Sequence, residues 1–215
     1  MNHWSARAAL VLTLLPLFAQ VSSVPYAQFF GPDFDNVHVD TAYPGRYQSI
    51  EKVDFRNMRL IVFDRSGKTD TALQFRSGVR KWKEKNGDAN EAKIEEVDYL
   101  TPADEYALVV FHWLSVSGGS DTDGFAQVFR LTGHELRVVQ QLLWNEQFEI
   151  KDKYTFDAAT KTMTVRSAHY MPGDAHCCIS AMDIFTLQWK DGGFTQTGVA
   201  TELSDYGKRE GKKLP

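Results

Sequence analysis

The segment 106–113 (YALVVFHW) is apolar at almost every position, and this constrains the fold more than any other feature of the chain. Successive residues of a strand point to opposite faces, so a strand with one wet face alternates apolar and polar side chains. A strand without that alternation needs cover on both faces. The segment therefore predicts a central strand inside a layered domain. His112, within it, reads as a core or edge histidine satisfied by a neighbour rather than as a ligand.

Around this segment the chain keeps one cadence of short β-branched and aromatic runs separated by Gly, Asn and Asp. Residues 50–55, 59–63, 92–100, 125–131, 136–144, 154–156, 162–170, 181–190 and 194–201 read as strands. Residues 73–82 (LQFRSGVRKW) read as a hairpin about Ser77-Gly78, and Asp191-Gly192-Gly193 as a second hairpin turn. Period 2 places Leu136, Val138, Leu142 and Trp144 on one face. The fold class expected is mainly β: one antiparallel β-rich domain with few or no long helices. Sandwich, curved sheet and partly closed barrel all fit, with α+β as the alternative. A length of 215 residues suits one domain. Apolar residues at 43% can fill its core.

The amino terminus has the pattern of a targeting peptide over residues 1–23. Arg7 supplies positive charge, 8–18 (AALVLTLLPLF) an apolar stretch, and Ala19, Ser22 and Ser23 the small residues of a cleavage region. The stretch is shorter than the ~20 apolar residues that span a bilayer. Cleavage after Ser23 is preferred over Ala19. The expected location is secreted or periplasmic, with no membrane span after cleavage. Residues 24–48 carry Pro25, Gly31, Pro32, Pro44 and Gly45 and read as an irregular lead-in. The β-rich domain follows over 49–203, and 204–215 reads as a frayed polar tail. The formal net charge of −4 gives no basic field for a phosphate backbone, so no nucleic-acid partner is expected.

Only two cysteines occur, and they are adjacent: Cys177 and Cys178. In an oxidising compartment a cysteine pair tends to oxidise. A bond between neighbours would strain the intervening peptide, because disulfides favour Cα atoms farther apart than the ~3.8 Å between adjacent residues. The pair is thus a disulfide or redox candidate, the alternative being two reduced, buried thiols. With His169 and His176 the cysteines also form a possible zinc or copper(I) set, although zinc sites space their cysteines two to four residues apart. Otherwise no cofactor is expected. Asp121, Asp123 and Asp174 are acidic loop candidates. Asp121-Thr122-Asp123-Gly124 fails the calcium-loop register at Gly119 and Arg130 and reads as a solvated turn. No nucleophile elbow, zinc-helix motif or phosphate loop is present. Asp183 shares an apolar strand face with Phe185, Leu187 and Trp189, so it must find a partner.

The sequences VDF (53–55), LTPADEYALVVF (100–111), AHCCIS (175–180) and FTLQWKDGGF (185–194) resemble exported bacterial proteins carrying a Cys-Cys-Pro-Ser element, the LppP/LprE-type lipoproteins among them. The resemblance implies a β-rich domain of the cell envelope and carries no activity. Ile179 stands where the proline is usual, and no lipobox cysteine follows the apolar stretch, so a lipid anchor is not implied. The function expected is that of an exported, non-enzymatic binding or envelope-associated protein, its partner an unknown ligand or envelope component. The alternative is a redox or metal-handling protein working through the His-Cys-Cys corner.

Overall fold

Three layers of antiparallel strand make up the molecule, and the largest sheet lies in the middle. The structure, a computed structural model, describes residues 34–85, 87–101, 105–115, 121–147, 153–175 and 178–214. The expected targeting peptide, residues 24–33 of the lead-in, His176 and Cys177 lie outside the described residues.

The central sheet has six strands in the order β1 (Phe34–Ala42), β8 (Glu135–Gln147), β7 (Asp121–Thr132), β6 (Tyr106–Ser115), β5 (Ala89–Thr101) and β4 (Val79–Lys83). Four strands form the second sheet, in the order β12 (Gly193–Leu203), β11 (Ala181–Lys190), β10 (Thr162–His169) and β9 (Tyr154–Asp157). A two-stranded ribbon, β2 (Arg59–Phe63) with β3 (Thr69–Gln74), covers the opposite face. The antiparallel sheets are not closed into a barrel, and the fold is the expected mainly-β single domain.

The strand 106–113 is where its composition predicts it. β6 is an inner strand, with Ala107, Val109 and Phe111 in the core under the ribbon and Leu108 and Val110 in the core under the second sheet. All five are inaccessible to solvent, which explains the missing alternation.

Adjacent glutamines tie the layers together. Gln141 points into the ribbon side, where its side chain donates to the Phe63 carbonyl at 2.7 Å and accepts from the Phe63 N–H at 3.2 Å. Gln140 points the other way and makes the same pair of bonds with Phe194, both at 2.7 Å. Each amide thus replaces a missing strand partner for buried backbone, which would otherwise be left unsatisfied.

Several local expectations change. Leu136 and Val138 lie in the ribbon-side core, whereas Leu142 and Trp144 lie in the other. A register shift opposite Val128/Phe129 inserts one residue into β8, and one extra residue exchanges the faces. The hairpin about Ser77-Gly78 closes by a single rung, Arg76 with Val79; β3 then belongs with β2 and β4 with β5. Residues 50–52 and 55–57 are 3-10 turns, and residues 34–42 of the lead-in form the edge strand β1. Pairing with β8 orders that strand despite the prolines and glycines around it. In the tail, α1 (Asp205–Arg209) forms because the Ser204 hydroxyl accepts from the Gly207 N–H. By contrast, Asp191 (φ 52°) and Gly192 (φ 86°) form the expected hairpin turn, both in the left-handed region that such a turn requires.

Candidate functional site

The two outer layers do not cover the central sheet equally. On the side of β10–β12 the second sheet meets β8 at one corner, where the Ser167 hydroxyl bonds both the N–H and the carbonyl of Asn145, each at 3.2 Å. Its other edge, β9, stands off from β5 and β6 and leaves a cleft of about 660 Å³. Leu114, Thr122, Tyr154 and Phe156 line it together with His112, Lys153 and the β5 side chains Glu91, Lys93, Glu95 and Glu96.

At the inner end His112 donates from Nδ1 to Glu146 Oε2 at 2.7 Å. The two residues come from strands that are not neighbours: His112 pairs with Gly124 on β7, and Gly124 pairs with Trp144 on β8. Glycine makes the reach possible. A Cβ at position 124 would lie 2.1 Å from the Trp144 indole and 2.5 Å from Glu146 Oε1, closer than any real contact. Trp144 Nε1 donates to Glu146 Oε1 at 2.8 Å, and Lys153 Nζ reaches Oε2 at 2.9 Å. The Glu146 side chain is fully buried. Burial opposes its ionisation, but the hydrogen bond and charge of His112, followed by Lys153, outweigh it and hold the carboxyl below its ordinary range. Glu146 is therefore an ionised acceptor and His112 Nδ1 a donor.

The opposite wall carries a second acidic group. A register shift at Ile94/Glu96 brings Glu96 and Asp98 onto the cleft-side face of β5. Tyr154 crosses the cleft and donates its hydroxyl to Glu96 Oε2 at 2.7 Å. Burial, then the charge of Glu96 and a hydrogen bond with it, push the Asp98 carboxyl up to about 6. Burial and the same Glu96 raise the Tyr154 hydroxyl. Asp98 thus keeps its proton into mildly acid pH, beside Glu96.

The residues singled out from sequence lie elsewhere. Cys178 is half-buried beside an isolated bridge to Ala175, whose carbonyl accepts from its N–H at 2.9 Å. The disulfide, redox and metal expectations need Cys177, and the metal set also needs His176, both outside the described residues. His169 is paired instead with Asp183, Nδ1 to Oδ2 at 2.8 Å, and Thr201 donates to the other carboxylate oxygen at 2.7 Å. Asp183 has thus found the partner its apolar face required. Among the described residues no three His, Cys, Asp or Glu side chains are arranged to hold a metal.

Asp174 is a structural staple. Its side chain is almost fully buried and accepts from the Met171 N–H at 2.9 Å, from the Ser180 N–H at 2.7 Å and from the Ser180 hydroxyl. Asp121 and Asp123 belong to β7, opposite Gln147 and Asn145, and not to a solvated turn. The long β6–β8 ladder extends through them and overrides the turn preference of Asp-Gly. The side chain of Asp121 is outside the described residues.

Glu146, Glu96, Asp98, Lys153 and Thr122 were not legible as a group. The available signal was Gly124 read as a strand glycine, since such a glycine marks a close approach of neighbouring side chains. The chain matches no known protein family, no curated protein and no solved structure.

Proposed function

We propose that this chain is an exported binding protein that holds a small ligand in the cleft between β9 and the β5–β6 edge. One observation carries the reading. The central sheet gives up side-chain volume at Gly124 so that a buried Glu146 can orient His112 toward an open cleft. Simple packing would place an apolar residue there. A buried ionised group is costly and is expected where it positions something. The volume of the cleft falls in the range of small-molecule sites, and its mixture of apolar walls with a few fixed polar groups is their usual composition. Export rests on the apolar stretch 8–18 behind Arg7. The likeness of the cysteine region to LppP/LprE-type envelope proteins is consistent with it.

Native mass spectrometry of the full chain recovered after export tests both parts. The expected result is a mature amino terminus at Val24 and a bound adduct that a Leu114→Trp variant, whose indole fills the cleft, fails to carry. An adduct retained in the Leu114→Trp protein would place the ligand elsewhere. A retained residue 1–23 segment in the exported protein would overturn cleavage.

A further inference from the structure

The hydrogen-bonding groups left open around the cleft are acceptors, or, for a hydroxyl, donor and acceptor together, and its lysines are answered. Lys93 bonds Glu95 at 2.9 Å, Lys81 pairs with Glu91 at 2.9 Å, and Lys153 is committed to Glu146. Glu96 accepts from the Tyr154 hydroxyl at 2.7 Å. Asp98 Oδ2 is buried and has no hydrogen-bond partner among the described residues. Thr122, only 4% exposed, lines the cleft with its hydroxyl also unpartnered among the described residues. His112 Nδ1 is committed to Glu146. A ligand that satisfies this set brings N–H donors and positive charge.

We propose that the cleft takes a small organic cation, an ammonium group carried on an apolar or aromatic body. This rests on the cleft reading above and deepens it. The ammonium would sit by Glu96 and Asp98, relieving the repulsion between two neighbouring carboxyls. The faces of Tyr154 and Phe156 favour a cation and, with Leu114, pack the body. A bare metal ion is the poorer fit, because no three-ligand group is arranged for one among the described residues. An anion would meet surplus carboxylate and no uncommitted lysine on the cleft wall.

Isothermal titration of the full chain with phenethylamine tests the assignment, against phenylacetate, 2-phenylethanol and calcium chloride. Saturable one-to-one binding of the amine is expected, weakened about tenfold by Glu96→Gln, the usual effect of losing a charge-assisted hydrogen bond. Thr122→Val should weaken it about threefold, and Leu114→Trp should abolish it. Glu96 is exposed, so its variant is expected to fold, and an unchanged thermal melt checks this.

Binding of phenylacetate or 2-phenylethanol as tight as that of the amine, and lost in Leu114→Trp, would overturn the cation while leaving the cleft as a binding site. So would calcium that displaces the amine through Glu96. Amine binding that survives both Glu96→Gln and Leu114→Trp would move the cation site away from the cleft. The absence of saturable binding by any of the probes would overturn the cation and count against the cleft as well.

Discussion

Two histidine–carboxylate pairs in this protein have nearly the same bond length and very different surroundings. His112 and Glu146 meet at 2.7 Å, with side chains 14% and 0% exposed. His169 and Asp183 meet at 2.8 Å, with side chains 38% and 14% exposed. The second pair joins neighbouring strands, β10 and β11, of the outer sheet and keeps partial access to water. The first reaches across a whole intervening strand, between two covering layers, and Glu146 there collects three donors. An ion pair near water gains little, because solvent and salt already stabilise each charge. One removed from water must be fully answered or it is costly. Layer position, not the chemical pair, therefore decides which one can orient a site.

The sharpest break of the comparison is truncation of each acid. Glu146→Ala leaves Lys153, His112 and the Trp144 indole without their shared acceptor, and should cost about 3–5 kcal/mol in urea unfolding. Asp183→Ala should cost at most about 1 kcal/mol. Equal losses would mean that the two pairs are energetically alike. Acid dependence separates them further. A carboxyl held below its ordinary value of 4.5 contributes stability that is complete above that pH and is lost as pH falls through its folded value. Unfolding curves of Glu146→Gln should accordingly be flatter than wild type on the acid side of pH 4.5.

Gly124→Ala tests the reach itself. The added Cβ would sit 2.1 Å from the Trp144 ring, which is buried. A loss of about 1–3 kcal/mol is expected, together with a changed Trp144 environment in near-ultraviolet circular dichroism. A silent substitution would show that the strand can bend to absorb it.

How much of this was legible in the sequence follows from the range of each interaction. The unbroken apolar run of 106–113 named its own place, because burial on both faces is a property of one strand. The Asp191-Gly192 turn did likewise, since backbone conformation is local. Partner choice was not local. Ser77-Gly78 has the residues of a hairpin turn, yet the strands it joins lie in different sheets, because each finds a longer ladder elsewhere. The Val138–Gln140 bulge was invisible for the same reason. It reverses the faces of a strand whose doublets Val138-Val139 and Leu142-Leu143 put apolar side chains on both faces, and only pairing with β7 exposes it. The cleft depends on three such events together: the bulge in β8, the bulge in β5, and a glycine that looked like a turn but continues a strand. Adjacent cysteines stand out in a sequence because they are rare, whereas Glu146, Lys153 and Glu96 are ordinary residue types made unusual only by where they meet.

A gain of stability is expected at Asp98. Its carboxyl is pushed up to about 6 by burial and then by Glu96. A raised carboxyl favours folding below its unfolded value of 3.8, and that advantage disappears as pH rises through about 6. At neutral pH the folded protein therefore bears the cost of ionising it. Asp98→Asn should stabilise the protein at pH 7 by about 1 kcal/mol, discounted for partial exposure, and the gain should vanish at about pH 3. A gain that is independent of pH would assign the effect to packing rather than to charge.

The smallest effect completes the comparison. A double-mutant cycle on His169→Ala and Asp183→Asn should give a coupling of about 0.2–1 kcal/mol, because both groups keep access to water and Thr201 still donates to residue 183. The corresponding cycle on His112→Ala and Glu146→Gln should give a larger coupling, in the upper part of the ~0.5–3 kcal/mol found for contacting residues. There the lost partner is not replaced by solvent. Added salt sharpens the contrast, since screening acts on exposed charge. The outer coupling should fall toward zero between low and high ionic strength and the inner one should change little. If both fall together, water reaches Glu146 through the cleft, and the pair behind Gly124 is no better insulated than the one on the outer sheet.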